Sequence, residues 1–145
     1  MQEVLIKKLH QYIADNNPDL LVTLQPDGTL SNYLKERVAS IDLLLNEFLA
    51  AGTPAYIIEE SCLDVLTKEL RPSKFNYLTS IIQDEFESDY NRLHESGLLT
   101  YEVMNLIESC TPVFEAFGFT EENEANRYLS YAIVGAIKEY FDKKQ

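Results

Sequence analysis

Four carboxylates, Asp84, Glu85, Glu87 and Asp89, fall within six residues and form the densest group of reactive side chains in the chain. Such a group could hold a divalent cation or draw in a basic surface. Calcium asks for oxygen ligands on an irregular backbone, typically with Gly at the turn, whereas this run has helical spacing and is interrupted by Phe86. A basic protein surface is therefore the better-matched partner. In one continuous helix, Asp84 with Glu87 and Glu85 with Asp89 are like-charge neighbours, each costing about 0.2–0.5 kcal/mol, and a mid-helix position brings no reward from the helix dipole. Arg92 can relieve Asp89 only in part. An arrangement unfavourable in isolation suits a partner patch, but a solvated face is the commoner explanation of such a group. Tyr77 and Tyr101 lie beside the neighbouring apolar stripes and are candidate anchors, since a rigid ring with a polar tip serves an interface or the edge of a core equally well.

Other chemistry finds little support. The two histidines, His10 and His94, belong to no HExxH and no paired Cys/His spacing, and Cys62 and Cys110 form no CxxC. Ser61, Ser80 and Ser109 lie in helical stretches with no strained elbow around them. The five glycines fall in a turn (Gly28), after helices (Gly52, Gly97, Gly118) and at one expected close contact (Gly135), leaving none for a phosphate loop. Catalytic, metal-ligating and cofactor-binding residues are accordingly not assigned, and no cofactor is expected. The alternative, a ligand-binding or enzymatic helical domain, would need a site assembled from separated residues.

The elements that must position these residues are helices. Leu5, Leu9 and Ile13 mark the first, over about 2–15, and Asn16-Asn17-Pro18 ends it. An extended segment over 20–24 and a Pro-Asp-Gly turn lead to a second helix over 31–51, with Leu34, Val38, Ile41 and Leu45 inward. Thr53-Pro54 opens a third, lined by Ile58, Cys62 and Leu66, and Arg71-Pro72 breaks it. Ser73 caps a fourth that runs to Gly97 through Phe75, Leu78, Ile82, Phe86, Tyr90 and Leu93. Thr100 caps a fifth, which Pro112 kinks or restarts, and Thr120 caps the last.

Within that last helix, residues 128–137 carry no charge and are apolar nearly all round, which predicts burial on several sides. Ala132, Gly135 and Ala136 leave one side shallow, so another backbone is expected there, from the same chain or across a homodimer seam. The fold expected is all-α: a single domain over 1–145, a compact bundle of about six helices with the C-terminal helix central.

A chain of 145 residues with 46% hydrophobic and 25% charged residues can bury a core without staples. The net charge of −12 is uneven: from Asp84 to Glu124 there are eleven acidic residues against Arg92 alone. That field repels a phosphate backbone, so direct nucleic-acid binding is not expected. No apolar run reaches membrane-spanning length, and the N-terminal stretch lacks the pattern of an export signal, so a soluble, cytoplasmic protein is expected.

The segments Gly52-Thr53-Pro54-Ala55-Tyr56-Ile57-Ile58-Glu59-Glu60 and Leu70-Arg71-Pro72-Ser73-Lys74-Phe75-Asn76-Tyr77-Leu78 carry a resemblance, together with Leu93-His94-Glu95-Ser96-Gly97 and Gly118-Phe119-Thr120-Glu121-Glu122-Asn123. They resemble a small domain-of-unknown-function family of Bacteroidetes, often encoded on conjugative or other mobile elements, and the likeness spans the whole chain. It implies a compact multi-helical protein of unassigned role, of the accessory-factor kind, and brings no functional residues with it. The function expected is a non-catalytic interaction or accessory role that turns an acidic surface toward a basic partner.

Overall fold

The computed structural model describes residues 1–144. Among them the chain is all-helical, with no strand. Contacts divide it into two compact units, one from Met1 to Arg71 and one from Pro72 onward.

The first unit contains α1 (Gln2–Asn16), α2 (Pro18–Thr23), α3 (Thr29–Ala39), α4 (Asp42–Ala50) and α5 (Ala55–Thr67), followed by a 3-10 turn, Lys68–Leu70. Helix α1 packs against α2, α3 and α5, and α4 packs against α5. Its core joins Leu5, Leu9 and Ile13 to Leu34, Val38, Ile41 and Leu45 and to Ile58, Cys62 and Leu66. These are the residues that the helical spacing turns inward.

The second unit contains α6 (Lys74–Glu85), α7 (Glu87–Ser96), α8 (Leu99–Phe117) and α9 (Arg127–Lys143). Helix α8 touches α6, α7 and α9, and α6 also touches α7 and α9. Leu78, Ile82, Leu93, Val103, Leu106, Cys110, Phe114, Leu129, Ile133, Ile137 and Phe141 form its core.

Nine α-helices thus stand among the described residues where about six were expected. Ser40 and Ile41 divide the expected second helix; the Ser40 hydroxyl bonds back to the Arg37 carbonyl at 2.5 Å, a local alternative to helix propagation. Phe86 (φ −133°, ψ 53°) divides the fourth. Its ring meets Phe141 edge-on at 5.8 Å, while its carbonyl accepts the first bond of α7 from Tyr90 N–H at 2.8 Å. The expected extended segment at 20–24 is helical through Thr23.

Three expected boundaries move. Helix α8 starts at Leu99 after an N-cap at Leu98, so Thr100 lies inside its first turn and does not cap it. Helix α8 passes through Pro112 without interruption, held by the burial of Cys110 before it and Phe114 after it. The final helix begins at Arg127, because Asn126, not Thr120, supplies the cap: its side-chain oxygen accepts from Tyr128 N–H at 2.8 Å and Leu129 N–H at 3.2 Å. Thr120 belongs to the preceding turn, where the Asn123 carboxamide accepts from Thr120 N–H at 2.7 Å and donates to the carbonyls of Phe117, at 2.9 Å, and Gly118. Asn123 therefore satisfies acceptors left over at the end of α8. Glu121, Glu122 and Glu124 consequently lie outside the first turn of α9.

Helix α9 also differs from the expectation of burial on several sides. Leu129, Ile133, Ile137 and Phe141 make one buried stripe, while Tyr128 and Tyr131 are 58% and 65% exposed. Gly135 is exposed as well, and a Cβ placed on it would meet nothing within 4 Å.

Candidate functional site

The second unit carries two features with chemical character. The first is a cleft of about 250 Å³ lined by Asp89, Arg92, Leu93, Glu102, Phe141 and Lys144. Glu102 lies in the first turn of α8 and is only 8% exposed, because the spacing that buries Leu106 also turns this position inward. Its two carboxylate oxygens are taken up separately. Tyr140 donates its hydroxyl to Oε2 at 2.6 Å, and Lys144 donates from Nζ to Oε1 at 3.0 Å. Burial pushes the Glu102 carboxyl up, but the Tyr140 and Lys144 hydrogen bonds and the charges of Lys144 and Arg92 outweigh it, holding the group below the usual carboxylate range.

The same contacts act on the partners. Burial and donation to an anion push the Tyr140 hydroxyl up, and the hydrogen bond to Glu102 raises the Lys144 ammonium. Arg92 pairs with Asp89 at 3.0 Å. The cleft therefore holds two carboxylates and two cations in mutual compensation. An ionised carboxylate with both oxygens engaged is a poor proton acceptor but a strong tie between the start of α8 and the end of α9.

The second feature is an open groove of about 390 Å³ beside α6 and α9, lined by Ile81, Asp84, Glu85, Ser130, Tyr131 and Val134. Its charged lining residues are Asp84 and Glu85, exposed in the last turn of α6, where the helix dipole disfavours negative charge. Neither forms an ion pair among the described residues. The break at Phe86 corrects the mid-helix placement expected for all four carboxylates. Glu87 and Asp89 stand in the first turn of α7, where the dipole favours them, and Asp89 is further held by Arg92. The acidic group is thus two pairs in opposite settings, and the groove takes the unfavourable pair.

The remaining candidates are not brought together at this groove. Tyr77 packs against the core, edge-on to Phe114 at 5.9 Å and to Phe119 at 5.0 Å, and so takes the core-edge role. Burial, with the charge of Glu124 behind it, raises its hydroxyl. Tyr101 is 58% exposed on α8. The small residues of α9 separate: Ala136 packs against the core, whereas Gly135 opens to the surface with no chain segment closing over it. Of the two roles expected for Ala132, Gly135 and Ala136, no close approach within the unit is seen at Gly135.

Both cysteines are buried, and burial pushes the Cys110 thiol up to about 11, far from a nucleophilic thiolate at neutral pH. His94 closes α7 and stacks on Tyr90 at 5.8 Å; His10 is exposed. Among the described residues, no three His, Cys, Asp or Glu side chains come together as a metal-ligand set. No helix among them is long and apolar enough to cross a membrane.

Sequence reasoning missed Glu102, Tyr140 and Lys144. The one available signal was a Glu standing between Leu99 and Leu106 at inward helical spacing. No curated protein and no solved structure matches the chain. The model of a family described as a domain of unknown function, DUF1896, matches residues 6–145, and the chain belongs to that family.

Proposed function

We propose that the protein is a non-catalytic interaction or accessory factor that receives a basic partner on the acidic side of its second unit. The observation that carries this reading is the groove beside α6 and α9, whose walls are apolar and whose lip bears two carboxylates without ion pairs. Unpaired like charges at the wrong end of a helix gain most from an incoming cation. The likeness to mobile-element proteins of Bacteroidetes supplies a setting, a cytoplasmic accessory factor. It also suggests a sharper form, in which the acidic surface occupies the DNA-binding face of another protein.

The test is affinity capture with chemical crosslinking at low and moderate salt, comparing the wild type with Asp84, Glu85, Glu87 and Asp89 changed together to Ser. A basic partner crosslinked beside the groove, lost in the variant and at higher salt, supports the reading. Elution by competing DNA supports the mimicry form. Equal capture by both proteins makes the carboxylates a solvated face. Self-association through the small-residue face of α9 at Ala132, Gly135 and Ala136, where Gly135 is open, is a separate part of the proposal, read by light scattering.

A second reading takes the Glu102 cleft as the site of a small zwitterionic ligand, whose own charges would exchange with the Glu102–Lys144 and Asp89–Arg92 pairs. Native mass spectrometry of protein purified without denaturation would show such a ligand, and Glu102→Gln should release it.

A further inference from the structure

We infer that the occupant of the groove is a short linear segment with one apolar side chain for the pocket and Lys or Arg on one side of it only. The inference rests on the interaction reading above and names the partner's chemistry. Ile81 and Asp84–Glu85 on α6, and Ser130–Tyr131 and Val134 on α9, are each one helical turn apart, so the groove is about one turn long and admits one or two side chains. Its apolar wall comes from Ile81, Val134 and the ring of Tyr131. Its charge lies at one end, where Asp84, Glu85 and the last carbonyls of α6 add their fields. An occupant complementary to this must be apolar at one end and cationic at the other.

The cation nearest in sequence, Arg127, does not fill the role. Arg127 lies over the Tyr128 ring at 5.1 Å and bonds its hydroxyl at 3.2 Å. A second copy is a poor occupant, because a two-fold contact through this patch buries the carboxylate pairs of both copies in one interface. A nucleic acid would meet the same carboxylates with its phosphates.

The intact protein, labelled with ¹⁵N, should be titrated with three synthetic peptides: a Leu/Lys amphipathic peptide, its Ser/Lys counterpart and its Leu/Glu counterpart. The Leu/Lys peptide should shift the amide signals of Ile81, Asp84, Glu85, Ser130, Tyr131 and Val134, and bind more weakly as salt rises. The double variant Asp84→Asn with Glu85→Gln should weaken it roughly tenfold, as expected for two charges at the rim of an interface. Val134→Ser should weaken the Leu/Lys peptide and leave the Ser/Lys peptide unchanged.

Equal binding of the Ser/Lys peptide would overturn the inference by removing the apolar anchor, and equal binding of the Leu/Glu peptide would overturn it by removing the charge. Absence of shifts at these six residues would overturn it as well. If crosslinks still place a basic partner on the carboxylates while no peptide enters the groove, the interaction reading survives and only the linear-segment inference falls. If neither occurs, both fall.

Discussion

Glu102 ties the two ends of a helix pair through a hydroxyl and an ammonium, and its contribution depends on ionisation. A folded-state pKa below the unfolded one means that this contribution is complete above the ordinary carboxylate range. It fades as the pH falls through the depressed value. Glu102→Gln keeps the shape and loses the charge, and should destabilise the protein by about 1–2 kcal/mol near neutral pH. In urea unfolding followed across pH, the gap between variant and wild type should close on acidification; a gap independent of pH would assign Glu102 a packing role. Gly135 supports a prediction of the opposite sign. Its backbone is helical and open space surrounds it, so Gly135→Ala should stabilise the protein by about 0.5–1 kcal/mol, read as a rise in the urea midpoint. Loss of an oligomer in the same variant would place a second copy on this face. Inward spacing marks the position of Glu102, but its partners could not be found by local spacing, because Tyr140 and Lys144 lie 38 and 42 positions away.

At the scale of elements, apolar spacing was a good guide to which face of a helix is buried and a poor guide to where a helix stops. Leu5, Leu9 and Ile13, or Val103, Leu106 and Cys110, are buried as their periodicity requires. The break at Phe86 was hidden because the stripe through Leu78, Ile82 and Leu93 keeps nearly the same period on both sides of it. The real start of α9 was hidden because Thr120 and Asn126 are both competent caps, and the Asn123 turn commits Thr120 elsewhere. Asn126→Ala should therefore cost about 1 kcal/mol and increase hydrogen exchange at Tyr128 and Leu129, whereas an undisturbed first turn would show that the cap contributes little.

At the scale of the molecule, the all-helical class was legible from the chain because every long apolar pattern has a helical period. The distribution of the buried residues into two clusters was not, since periodicity identifies inward faces without saying which faces meet. Leu9→Ala in the first core should cost about 2–5 kcal/mol. Hydrogen exchange in that variant tests the single domain expected from chain length. Loss of protection confined to residues 1–71 would mean that the clusters unfold separately, and loss at Leu129 and Ile133 as well would mean one cooperative domain.

The position of Asp84 and Glu85 at the carbonyl end of α6 sets up a trade-off between robustness and recognition. Neutralising the pair as Asn and Gln removes an unfavourable alignment with the helix dipole and should stabilise the free protein by about 0.3–1 kcal/mol per residue. The same change should abolish whatever advantage the carboxylates give in recruiting a cation-bearing partner. Selection for thermal endurance alone would discard this pair, and selection for binding would retain it.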